Sequence, residues 1–103
     1  MCADSRQPDS SAAVICLRAI FQGHVQGVGF RYRTSRLAKR HSIRGFVKNL
    51  TDGTVELVVQ AREKAVLDQF FDEMMHTFAT NVTDVSIQEF SPDPVWPNFE
   101  IQR

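Results

Sequence analysis

The chain has 103 residues, 43% of them hydrophobic and eight of them Phe, enough to fill the core of one domain without disulfides or metals. Twelve Lys plus Arg against twelve Asp plus Glu leave no net charge, which excludes a basic nucleic-acid coat, an acidic solvating tail and a polybasic membrane anchor. The balance hides an uneven distribution: no acid stands between Ser10 and Thr51, seven cations run from Arg31 to Lys48, and ten of the twelve acids follow from Asp52 onward.

Residues 1–11 are polar, carry Pro8 and show no apolar periodicity, so they read as a disordered tail ahead of a domain over 12–103. Val14, Cys16, Ala19 and Phe21 fit a strand that ends at Gly23, and a glycine-punctuated loop, Gly23 to Gly29, follows. From Phe30 to about His41, the spacing of Phe30, Thr34, Leu37, Ala38 and His41 marks one helical face, with Arg33, Arg36 and Arg40 opposite. Ile43 to Leu50 reads as a second strand, Thr51-Asp52-Gly53 as a hairpin turn, and Thr54 to Gln60 as a third strand. Val66, Leu67, Phe70, Phe71, Met74, Met75 and Phe78 form the core stripe of a second helix. Val82 to Phe90 alternates as a fourth strand, Ser91-Pro92-Asp93-Pro94 breaks the pattern, and Phe99 and Ile101 predict a short final strand.

Cys2 and Cys16 make no disulfide framework, and His24, His41 and His76 are too scattered for a zinc site. The apolar run over 12–21 is broken by Arg18 and is too short to span a bilayer. A cytoplasmic protein is expected, with no membrane partner.

The order β-α-β-β-α-β plus a tail strand predicts an α+β, ferredoxin-like sandwich with both helices on one face of a mostly antiparallel sheet. In that topology strands one and two are parallel, with strand three between them and antiparallel to both. The glycine loop after strand one and the end of strand two near Asn49 therefore come together at one edge.

That loop departs from local rules. Its glycines permit positive φ, its consecutive N–H groups can form a concave anion nest, and it runs straight into a helix N-terminus. No Ser, Thr, Asp or Asn caps that helix, which leaves Gly29 or a neighbour as the cap. Arg31 stands in the first turn, where a cation opposes the helix dipole. A bound phosphate resolves both conflicts; the alternative is an Arg that reaches out to solvent. Neither the Walker pattern nor the dinucleotide fingerprint fits, so the loop suits one phosphate group and not a nucleotide.

Around the loop there is no Ser or Cys nucleophile, no carboxylate and no cluster of metal ligands, and His24 has no carboxylate to orient it. The remaining polar candidate at the shared edge is Asn49. An amide is no general base near neutral pH, but it can hold a water. A phosphate cradle, one Arg and one such amide suffice only for an activated phosphate, and acyl phosphates fit that limit.

Gly23-His24-Val25-Gln26-Gly27-Val28-Gly29-Phe30-Arg31, then Gly45-Phe46-Val47-Lys48-Asn49 and Gly53-Thr54-Val55, resemble the two signatures of the acylphosphatases. The resemblance runs from about Val14 to Arg103. It implies hydrolysis of the carboxyl-phosphate bond of a small acyl phosphate without metal, cofactor or covalent intermediate; nothing in the sequence demands more than a monomer. By position it makes Arg31 the phosphate-binding arginine and Asn49 the residue that orients the attacking water. Main-chain groups of Val25, Gln26, Gly27, Val28, Gly29 and Phe30 become the cradle, and Thr54 a supporting residue. Ala61 stands where the second signature usually closes with glycine, and Gly29 is similar to the bacterial-type loop, not to the vertebrate enzymes with Phe there. The tail before Ala12 and the segment Pro92 to Pro97 have no counterpart. The acyl group is left open: 1,3-bisphosphoglycerate, carbamoyl phosphate and acetyl phosphate all satisfy these signatures.

Two other functions share the topology. RNA-recognition motifs do, and Arg44-Gly45-Phe46 imitates the start of their signature, but on the second strand where the third is required. The other is a non-catalytic phosphate-sensing or carbamoyl-phosphate-handling module, as in the acylphosphatase-like domain of a hydrogenase maturation factor, a much longer chain. Arg31 and Asn49 together favour the enzyme, and no nucleic-acid partner is expected.

Overall fold

A computed structural model describes residues 14–27, 29–89 and 95–102. The expected tail over 1–11, Val28 of the loop, Phe90 and the break over 91–94 lie outside them. In chain order the elements are β1 (Ile15–Gly23), α1 (Phe30–Arg40), β2 (Arg44–Asn49), β3 (Val55–Ala61), α2 (Lys64–Thr77), β4 (Val82–Glu89) and β5 (Phe99–Gln102). The strands form a single mixed sheet in the order β4-β1-β3-β2-β5. β3 is antiparallel to both β1 and β2, and β5 adds to the edge parallel to β2. This is the ferredoxin-like α+β sandwich, with β1 and β2 side by side across β3 as the element order requires.

Strand alternation sorts the core. Ala19 and Phe21 of β1, Val47 of β2, and Val55, Leu57 and Val59 of β3 pack in one cluster with Leu37 and Ala38 of α1 and Leu67, Phe70 and Met74 of α2. Both helices therefore cover the same face of the sheet. On α1 the buried positions are Phe30, Thr34, Ser35, Leu37 and Ala38, the predicted stripe widened by Ser35. His41 falls just past the helix end, where its ring bonds Glu73 of α2 through Nε2 and Oε1. Met75, expected in the core stripe of α2, is 37% exposed instead. It sits one position past Met74, on the edge of a buried stripe narrower than the run of apolar residues.

Phe30 fixes where α1 begins. Its ring lies 5.3 Å from that of Phe21 and 4.3 Å from that of Phe78, so the end of β1, the start of α1 and the end of α2 are clamped together. Phe21 pairs with Val55, and Val55 pairs with Asn49 on its other side. Cross-strand partners share a face, so Asn49 projects toward α1 at the end of this row.

The opposite face of the sheet is partly covered as well. Cys16, Val58 and Gln60 are buried there, and Trp96 joins this face, its ring 5.1 Å from that of Phe46 and its main-chain N–H donating to Gln60 Oε1 at 2.8 Å. Gln60 Nε2 in turn approaches Cys16 Sγ at 3.5 Å, and burial pushes the Cys16 thiol up. Among the described residues no helix is long and apolar enough to cross a membrane.

Candidate active site

The loop between β1 and α1 takes its shape from two glycines. Gly27 and Gly29 have φ of 78° and 76°, and a Cβ at either would meet nothing within 4 Å, so backbone conformation and not space demands glycine there. Gly29 is the N-cap of α1; no side chain caps the helix and no acid stands in its first turn. The first N–H groups of a helix have no partner within it, and these open toward the loop. Buried Val25 and Phe30 anchor the two ends of the turn.

Arg31 stands half-buried in the first turn of α1. Its Nη1 donates to the main-chain carbonyl of Gln102 on β5 at 3.0 Å, which holds the guanidinium across the end of the sheet. A guanidinium has five N–H donors in a planar fork, so most of them are left for a ligand. Half-buried Asn49 comes from the end of β2. Its Oδ1 is sealed from solvent and has no donor among the described residues, a cost of about 1–3 kcal/mol. An amide flip about this soft terminal torsion exchanges Oδ1 with Nδ2 and would present the acceptor on the other side.

These residues meet around one cavity of about 230 Å³, lined by Val25, Gly27, Gly29, Phe30, Arg31, Tyr32, Asn49 and Ile101. Larger spaces lie elsewhere, one of about 420 Å³ beside His41, Gln60 and Val66 and one of about 630 Å³ along α1, but neither touches the loop. Of the seven clustered cations only Arg31 lines the small cavity. Arg33, Arg36, Lys39 and Arg40 border the groove along α1, with Arg40 paired to Glu73 at 2.9 Å. Among the described residues no carboxylate lines the small cavity, and no three His, Cys, Asp or Glu side chains gather as metal ligands.

Gln26 and Thr54 stand one step back. Gln26 Nε2 donates to the carbonyls of Leu50 and Thr54, both at 2.8 Å, and so staples the loop to the β2–β3 hairpin beside Asn49. In that hairpin Asp52 Oδ1 accepts from Thr54 Oγ1 at 2.5 Å and from Thr54 N at 3.0 Å. The hydroxyl bond first, and then the amide bond, hold the Asp52 carboxyl below its ordinary range. Thr54 thus shapes the turn and does not reach the cavity. His24 is exposed and outside the cavity, tied through its main chain to Asn81.

Three features were beyond sequence reasoning. Tyr32 and Ile101 form walls of the cavity, and the Gln26 side chain braces it. Tyr32 was signalled only by its place after Arg31; Ile101 arrives through the β2–β5 pairing of Val47 with Ile101, which no local pattern encodes.

A family model described as Acylphosphatase matches residues 17–101. An acylphosphatase from Thermotoga petrophila is 41% identical over 78 residues, which cover 75% of this chain and 86% of that one. One from Pediococcus pentosaceus is 60% identical over 50 residues, 48% of this chain and about half, 54%, of the relative's length. The crystal structure of acylphosphatase from Bacillus subtilis superposes with a TM-score of 0.76 at 31% identity, over 86% of this chain and 99% of that one. With loop, arginine and asparagine brought to one cavity on this fold, the chain belongs to the acylphosphatase family.

Proposed function

We propose that this cavity binds the phosphoryl group of an acyl phosphate and hydrolyses it by direct attack of water. Family membership makes the chain a hydrolase of that class; the roles of individual residues are inferred from the cavity. Main-chain N–H groups from Val25 to Phe30 and the free donors of Arg31 take the phosphoryl oxygens, and the helix N-terminus adds its dipole. The carbonyl of Gln102 keeps the guanidinium in place before substrate arrives, so little reorganisation remains at the moment of reaction.

Asn49 offers its unspent acceptor to a water in line with the carboxylate leaving group. The water oxygen bonds to phosphorus, the bond from phosphorus to the acyl oxygen breaks with its electron pair leaving on the carboxylate, and a water proton passes to a phosphoryl oxygen. The products are carboxylate and inorganic phosphate, and the scheme draws on no metal and on one copy of the chain. The remaining cations of α1 raise the local concentration of a doubly charged substrate without touching it.

The observation that carries this reading is that Arg31 and Asn49, from different elements, line one small cavity at an uncapped helix start. An RNA-binding surface would present bare aromatics on the open sheet face. Here Phe46 is packed on Trp96, and β3 offers Glu56, Val58 and Gln60.

Acetyl and benzoyl phosphate hydrolysis, followed with and without EDTA, tests the proposal. Turnover is expected to persist in EDTA and to fall roughly 10²–10³-fold in Arg31→Gln and in Asn49→Ala. Activity lost in EDTA, or retained in both variants, overturns the scheme. Phosphate binding without any turnover identifies a sensing module instead.

A further inference from the structure

Two large apolar side chains stand out at the mouth of the cavity. Tyr32 is 61% exposed and Ile101 40% exposed, and both line it. Neither belongs to the core cluster. Phosphate binding and water orientation use neither. Single exposed apolar residues are ordinary on a protein surface, but these two come from separate elements, the first turn of α1 and the edge strand β5, and converge on the same opening.

Their placement is fixed. Pairing with Val47 puts Ile101 on the helix-covered side of the sheet, and the bond from Arg31 to the carbonyl of Gln102 holds β5 against the start of α1. The Arg36 guanidinium lies 5.8 Å from the centre of the Tyr32 ring and covers one of its faces, leaving the opposite face and the edge to a ligand. With the phosphoryl group drawn inward by Arg31 and the loop, the acyl group of a substrate points to the exposed side of the cavity, where Tyr32 and Ile101 stand.

We infer that Tyr32 and Ile101 form the subsite for the acyl group, and that it selects acyl phosphates whose acyl group is planar and apolar. This rests on the acyl phosphate reading given above. A benzoyl group, coplanar with its carboxyl, can lie against the Tyr32 ring and bury apolar surface on Ile101, whereas an acetyl group reaches neither. Apolar contact made away from the reacting atoms raises kcat/KM chiefly through KM.

The test measures kcat/KM for benzoyl phosphate and acetyl phosphate in each variant, takes their ratio and compares it with the wild-type ratio, which cancels the differing intrinsic lability of the two mixed anhydrides. In Tyr32→Ala and in Ile101→Ala the benzoyl-to-acetyl ratio is expected to fall about threefold to tenfold through KM, while Tyr32→Phe keeps it. Competitive inhibition by inorganic phosphate stays within twofold in these variants, and Ile87→Ser, an exposed apolar position on β4, leaves the ratio alone. A ratio that does not move in either alanine variant, or a parallel loss on both substrates, overturns the subsite. A preference for 4-carboxybenzoyl over benzoyl phosphate that disappears in Arg36→Gln also overturns it, in favour of an anionic acyl group read by Arg36. Wild-type protein that hydrolyses none of these acyl phosphates defeats the parent reading, an outcome distinct from equal hydrolysis of all, which overturns the subsite alone.

Discussion

Gln26 offers the sharpest test of how the site is held. Gln26→Met keeps the length of the side chain and removes the Nε2 donor that reaches the carbonyls of Leu50 and Thr54 at 2.8 Å each. Neither carbonyl is orphaned, because Leu50 O still accepts from Gly53 N at 3.2 Å and Thr54 O from Leu50 N at 2.9 Å. The loss is then two ordinary net hydrogen bonds, about 1–2 kcal/mol in total. For a domain of this size that lowers Tm by roughly 5–15 °C. Asn49 immediately precedes Leu50, so releasing the loop from the hairpin also loosens the cradle against the water-orienting amide. Displacement on the scale of an ångström costs up to about 10²-fold in rate. Thermal and urea unfolding, with acetyl phosphate kinetics measured well below the transition, read the two effects separately. A stability loss with turnover intact would show that the staple only supports the fold, and an unchanged Tm would refute the hydrogen-bond argument itself.

Two further outcomes follow from polar groups elsewhere. Thr34 is fully buried on α1 and its Oγ1 has no partner among the described residues; Thr34→Val should stabilise by about 1 kcal/mol in urea denaturation, and a destabilised variant would mean the hydroxyl is satisfied in solution. Asp52 is held below its ordinary range by Thr54, so its contribution to hairpin order is complete above the ordinary aspartate pKa and is lost as pH falls through the depressed value. An NMR titration of the Asp52 carboxyl should have its midpoint below that of an unfolded aspartate and move part of the way back in Thr54→Val, which removes the hydroxyl bond and keeps the amide bond; a midpoint unmoved by that substitution contradicts the assignment.

Much of this site was legible because it rests on local grammar. Glycines at Gly27 and Gly29, a helix with no side-chain cap and a cation in its first turn are violations visible without coordinates, and the β-α-β-β-α-β order alone brought the loop to the end of β2. The hairpin was equally plain, since Asp52-Gly53 between two β-rich runs has few other readings. What stayed hidden depends on long-range pairing. That β5 runs parallel to β2, and so delivers Ile101 and the Gln102 carbonyl to Arg31, follows from sheet order and not from four residues of alternation. The polar chain from Trp96 through Gln60 to Cys16 on the face away from the helices joins residues far apart along the chain. Met75 was read as core because residue type cannot say how wide a groove α2 meets.

The two side chains that brace the site, Gln26 and Arg31, both grip main-chain oxygens: those of Leu50, Thr54 and Gln102. Every amino acid carries that oxygen, so replacing the side chain at Leu50 or Gln102 leaves the grip available. Shortening or lengthening the β2–β3 hairpin or β5 by one residue does not, because strand carbonyls alternate in direction and the acceptor turns away. Among relatives of this chain, residue identity at Leu50 and Gln102 is then expected to vary more than the spacing, and gaps there, more than substitutions, to accompany loss of the site.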